Sequence, residues 1–219
     1  MTMQKHSALA RNLTRTSASL LALFVASTAS AETRDFDLKD FKAVHVSAGI
    51  SAKISIAEDF SVVLEGSEKS LKRAHVHVKD GELRVGRRTG RVVLGFPGKI
   101  TATITAPRLS ALSVSSGANI NAKGIDAGDF RLDASSGGIL TVSGVCDGLR
   151  VDASSGANIR GEEFKCRTAS ADASSGSSAR IYANEEADAE ASSGASVRVY
   201  GDPETRSSET SSGGSVRFN

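Results

Sequence analysis

The chain of 219 residues has no tryptophan and only two tyrosines, so it lacks the ring-rich platform on which sugars usually stack. It contains no apolar run long enough to span a bilayer. No Gly-x-Ser-x-Gly elbow and no Ser-x-x-Lys pair occurs, and residues 111 to 218 contain no histidine. Nucleophilic serine catalysis therefore has no recognisable local frame there. With only two cysteines, a cysteine-built metal site would want for other ligands.

A charge excess is also missing once the first 31 residues are set aside. Lys5, Arg11 and Arg15 form a basic start, Leu20 to Ala26 a short apolar run, and Ala29-Ser30-Ala31 a small-residue cleavage site, together the pattern of an export signal. Removing those three basic residues leaves 24 Lys and Arg against 25 Asp and Glu, a net charge of −1. Such a chain, beginning at Glu32, is an unlikely nucleic-acid binder. The expected location is the periplasm or cell surface of a Gram-negative bacterium, with no transmembrane segment and no cysteine after the cleavage site to carry a lipid.

What is abundant is Ser-Ser-Gly. Six copies place their glycines at Gly117, Gly137, Gly156, Gly176, Gly194 and Gly213, with spacings of 20, 19, 20, 18 and 19 residues. A period of that size is the mark of stacked supersecondary units. Five and three residues before the glycines stand apolar or small residues such as Leu112 and Val114, Leu132 and Ala134, Val151 and Ala153. Three and five after them stand Ile120 and Ala122, Leu140 and Val142, Val197 and Val199. This alternation predicts two short strands with one face buried, joined at a Ser-Ser-Gly corner. The expected fold is all-β: a right-handed parallel β-helix, or solenoid, of about six coils over residues 111–219. At roughly 4.8 Å per rung, six coils make about 29 Å of rod.

Residues 32–110 read as a β-rich segment that starts the stack and covers its N-terminal edge. Val44 to Ile54 looks like a degenerate rung with Ser47-Ala48-Gly49 at its corner. Phe60 to Glu65, His75 to Lys79, Glu82 to Gly86 and Ile100 to Ile104 read as further strands, with Asp80-Gly81 as a hairpin turn. His75 and His77 share one strand face, but exposed polar positions explain them better than a metal does, and no cofactor is expected.

Cys146 and Cys166 lie 20 residues apart, about one coil. Stacking would bring them into neighbouring rungs, at a separation a disulfide can bridge, and an exporting pathway would allow the bond.

The outward positions carry two charged columns. Four residues before the glycines stand Asp133, Asp152, Asp172, Glu190 and Glu209; four after them stand Arg160, Arg180, Arg198 and Arg217. Like charges on adjacent strands repel. Solvent screening and cross-column pairing are one way to offset them; a bound cation, a charged polymer or another protein's surface is the other.

The Val-x-Val-Ser-Ala-Gly start, the hairpin with Asp80-Gly81-Glu82-Leu83 and the repeated Ser-Ser-Gly units together resemble the bacterial head GIN domain family, named for autotransporter adhesins, over roughly residues 40 to 218. The resemblance implies a β-helical fold and an adhesin-like role, and it transfers no catalytic or binding residue. An autotransporter carries its own outer-membrane barrel; no run of alternating barrel strands follows these repeats, so another carrier would be needed. The sequence thus predicts a non-catalytic envelope or surface protein that binds an envelope protein or glycan through its sides and self-associates through its C-terminal coil. A β-helical polysaccharide lyase or hydrolase is the alternative.

Overall fold

The computed structural model describes residues 31–88 and 98–219. The expected signal segment at residues 1–31 falls, up to residue 30, outside the described residues. Among the described residues fifteen strands form one continuous sheet that winds into stacked parallel coils.

The regular part begins with β8 (Ala111–Val114) and continues through four long strands, β9 (Asn119–Ala134), β10 (Ile139–Ala153), β11 (Asn158–Ala173) and β12 (Ser178–Ala191). It ends with β13 (Ser196–Tyr200), β14 (Thr205–Thr210) and β15 (Ser215–Phe218). Each long strand starts just after one corner and runs to the next. Its first residues therefore lie on the trailing face, which follows the corner, and its last residues on the leading face, which precedes it. A third side joins them. Six corners bound five complete turns, so the solenoid has about five turns where counting tripeptides gave six.

The corner follows from backbone chemistry. In each copy the second serine and the glycine both have positive φ, for example Ser155 at 51° and Gly156 at 69°. The residue after the glycine donates its N–H to the first serine's carbonyl, as Ala157 does to Ser154 at 3.1 Å. These are the features of a type I′ turn, which demands φ > 0 at both central positions. The corners also bond to one another: the N–H of Gly117 donates to Ser136 O, Gly137 to Ser155 O and Gly156 to Ser175 O, at 3.0 to 3.1 Å. A Cβ on any of these glycines would meet nothing within 4 Å. Conformation, not crowding, selects glycine here.

The core is a stack of buried columns, Leu112, Leu132 and Val151 on the leading face and Ile120, Leu140 and Ile159 on the trailing face, all at 0% exposure. On the third side Phe130 and Phe164 pack edge to face, with ring centroids 5.3 Å apart. On the leading face the inward residues shrink to alanine toward the C-terminus, at Ala171 and Ala189, while the trailing face keeps Val197 and Val199. In β14 they turn polar, and the whole strand is exposed.

The N-terminal segment adjoins the regular coils, but its degenerate rung is not the first of the stack. β2 (Ala43–Val46) and β3 (Ser51–Ile56) do form a rung, with Gly49 N–H donating to Ser116 O at 3.1 Å. Yet this rung lies inside the stack: β2 pairs with β8 and also with β6 (Glu82–Arg87), and β3 pairs with β9 and also with β7 (Ile100–Ala106). A later stretch of chain thus forms the rung outside an earlier one. Beyond it the pairing turns antiparallel, with β5 (Ala74–Lys79) on β6, and β4 (Ser61–Gly66) on β7 followed by β1 (Glu32–Phe36). Antiparallel strands reverse the chain and stop coil growth, which covers the edge. A short helix, α1 (Glu68–Leu71), is capped by Ser67, whose Oγ accepts from Ser70 N–H.

Candidate functional site: two charged faces of the solenoid

Parallel, in-register pairing turns each repeat offset into a column. On the leading face Asp133 pairs with Asp152, Asp152 with Asp172, Asp172 with Glu190 and Glu190 with Glu209. Five carboxylates therefore follow one another at the inter-strand spacing. The column is not uniform. Arg131 and Arg150, six residues before their glycines, lie beside its upper half: Arg131 bridges Asp133 at 2.9 Å and Asp152 at 2.8 Å, and Arg150 lies 3.6 Å from both Asp152 and Asp172. In the next two rungs the flanking position is held by Ser170 and Asp188. Glu190 consequently faces Asp172 first, then Glu209 and Asp188, and this repulsion pushes its carboxyl above the usual range. An open groove of about 400 Å³ runs along these acids and the corner serines.

The same column continues into the N-terminal rungs, where Ser113 pairs with Asp133 and His45 with Ser113. His45 Nδ1 lies 2.9 Å from Ser113 Oγ. Burial lowers its pKa, with Glu82 and Asp133 opposing and Arg84 assisting.

On the trailing face Arg160 pairs with Arg180, Arg180 with Arg198 and Arg198 with Arg217. Arg160 Nε donates to Asn158 Oδ1 at 3.2 Å and Arg180 lies 3.5 Å from Glu162. Arg198 and Arg217 make no ion pair among the described residues. Further cations lie on the same face: Lys53 falls in the arginine column but two neutral rungs, Thr141 and Asn121, away from Arg160, and Lys123 falls in the neighbouring column. Lys53 pairs with Asn121 and Ser55 with Lys123, so both lysines point outward from the same face, around a groove of about 390 Å³. Both tyrosines of the chain also meet here, Tyr182 in register with Tyr200. Lys165 Nζ sits 4.2 Å from the centre of the Tyr182 ring.

The arginines that flank the acids were legible as a shared offset from the glycine, six before it. The tyrosine pair was legible by the same rule, since Tyr182 and Tyr200 each stand six residues after their glycines, Gly176 and Gly194.

On the third side Cys146 and Cys166 are register partners with Cα atoms 4.4 Å apart and their sulfurs bonded. His75 and His77 stack with ring centroids 4.5 Å apart, but no group of three or more metal-binding side chains occurs among the described residues.

Three comparisons bear on identity. A family model described as "Putative auto-transporter adhesin, head GIN domain" matches residues 40–203. No curated protein matches the sequence. Among solved structures, a putative adhesin from Bacteroides fragilis is 17% identical and superposes with a TM-score of 0.71, covering 87% of this chain and 97% of its own. Putative adhesins from Parabacteroides distasonis and Parabacteroides merdae are 14% and 15% identical, with TM-scores of 0.54 and 0.51. Each covers 88% of this chain, and 98% and 97% of its own. At these identities the likeness shows the fold.

Proposed function

The chain belongs to the head GIN domain family, and from that membership we propose that it is an exported, non-catalytic envelope or surface protein that binds through the sides of its solenoid. The observation that carries this reading is the pair of in-register ladders, acids on the leading face and bases on the trailing face. Flat sheets with repeated charge suit an extended partner touched at many points, since weak repeated contacts add up along its length. The names of the family and of the solved relatives support an adhesin-like role. To test it, labelled protein is incubated with intact cells and envelope fractions. Saturable binding that weakens when face charges are neutralised is the expected result; binding indifferent to both faces would refute it. Export predicts that the secreted protein begins at Glu32 on N-terminal sequencing.

The alternative, a polysaccharide-processing β-helix, draws on Glu190 alone, whose raised pKa beside Asp172 is the kind of split that acid and base pairs use. Turnover of a cell-wall polysaccharide that vanishes on one substitution, such as Glu190→Gln, would favour it.

The same reading assigns the last coil to self-association. Among the described residues β14 pairs only with β12 and β15 only with β13, which leaves one edge of each open there. Arg206, Ser208 and Thr210 make that end polar, and the Arg206 guanidinium lies 5.5 Å from the Phe218 ring centre. Association there is therefore weak, and light scattering should show mass rising with concentration. A strict monomer at high concentration without a co-purifying partner would contradict it.

A further inference from the structure

The two ladders differ in how far they are already satisfied. The acids are partly neutralised by Arg131 and Arg150 on their own face. The trailing face has no comparable compensation. From β3 to β15, the outward positions two, four and six residues after the corner glycines hold six cations, Lys53, Lys123, Arg160, Arg180, Arg198 and Arg217, and one acid, Glu162. A chain with 27 basic and 25 acidic residues in all has thus placed an unbalanced row of cations on one flat surface.

Resting on the side-binding reading above, we infer that the trailing face is the binding surface and that its ligand is an acidic polysaccharide lying along the solenoid axis. Three features point to that class. Stacked guanidiniums repel one another, and carboxylate or sulfate groups repeated along a polymer would relieve the repulsion through paired, charge-assisted hydrogen bonds. Beside the arginines runs a second column of neutral hydrogen-bonding side chains, Asn158, Ser178 and Ser196 among them, held in register by the same pairing. Such a column suits sugar hydroxyls, which donate and accept equally. The rung spacing, about 4.8 Å, is close to the advance of an extended glycan per sugar, so successive rungs can meet successive residues.

Other polyanions fit less well. A bilayer would call for exposed apolar side chains, and among the described residues the one large exposed hydrophobic residue, Val145, lies on the third side. An acidic peptide or a nucleic acid would use the arginines but would leave the hydroxyl and amide column without a matching repeat of hydroxyls.

The experiment is fluorescence anisotropy on the full chain with two labelled probes, an oligogalacturonate carrying carboxylates and a chondroitin sulfate oligosaccharide. A neutral dextran oligomer, polyglutamate and single-stranded DNA serve as comparisons. The expected result is saturable binding to at least one acidic glycan, with weaker or no binding to the comparisons. The double variant Arg180→Gln/Arg198→Gln should weaken it about tenfold or more, and Lys53→Gln/Lys123→Gln, at the other end of the same face, should also weaken it. Asp172→Asn/Glu190→Gln on the leading face should not. Equal affinity for polyglutamate or DNA would overturn the glycan assignment, as would failure of both acidic glycans to bind. If the protein still binds cells or envelopes while ignoring both probes, this inference falls and the broader reading stands; if it binds neither, both fall.

Discussion

At the scale of single residues, the corner separates two reasons for glycine. Gly156 has φ of 69° with empty space around a notional Cβ, whereas a Cβ on Gly144 would run into the carbonyl of Ile125. Gly156→Ala should therefore cost about 1 kcal/mol, the backbone penalty alone, and Gly144→Ala distinctly more. Urea midpoints of the two variants check the order, and equal losses would contradict the assignment. The second serine of each corner carries a similar strain, since it too has positive φ. Replacing Ser155 by glycine should stabilise the fold by a few tenths to about 1 kcal/mol. His45 supplies a pH effect. Its pKa is lowered in the fold, so the unfolded chain takes up the proton first as pH falls. Its contribution is complete above the ordinary imidazole value of about 6.5 and declines as pH drops through it toward the lowered folded value. Glu190, raised by its acidic neighbours, acts oppositely: the repulsion is relieved as pH falls into the carboxylate range. His45→Asn should flatten the loss of stability between pH 7.5 and 5.5, measured by urea unfolding; an unchanged slope would show that other groups set it.

At the scale of elements, the repeats were legible because each strand has a period-2 face and each corner a demanding φ pair. Both leave a residue signature at fixed offsets. Leu132, Val151 and Ile159 are buried as the alternation requires, while Arg160 and Arg198 point outward on the trailing face. The nesting of β2 and β3 between β6–β7 and β8–β9 was not legible. It depends on which strands pair at long range, and Val44 to Ile54 has the same local pattern wherever the rung sits. Likewise Lys53 joins the basic column only once β3 is known to lie beside β9. The sulfur bridge ties β10 to β11 across one coil. In protein produced in an oxidising compartment, non-reducing mass spectrometry should find the Cys146–Cys166 crosslink and no free thiols. Its removal by paired serine substitution should cost about 3 kcal/mol on the chain-entropy model.

At the scale of the whole molecule, a net charge close to zero conceals a polar distribution: acids along one flat face, bases along another, and paired charges such as Arg167 with Glu185 and Asp147 on the third side. Columns of this kind arise where in-register parallel stacking, which aligns equivalent positions, meets a sequence that keeps the same charge there; at other positions the residue changes, as Arg150, Ser170 and Asp188 show. A solenoid built in this way makes a linear surface, and the central claim is that binding is spread along it. The most direct test is to replace Arg160, Arg180, Arg198 and Arg217 by glutamine one after another and to measure, at fixed salt, the affinity for the envelope fraction or acidic glycan that the unaltered protein binds. The account predicts stepwise weakening, each removal costing a similar factor and each lowering the salt dependence. Loss concentrated in one of the four, or affinity that survives the removal of all of them, would contradict it.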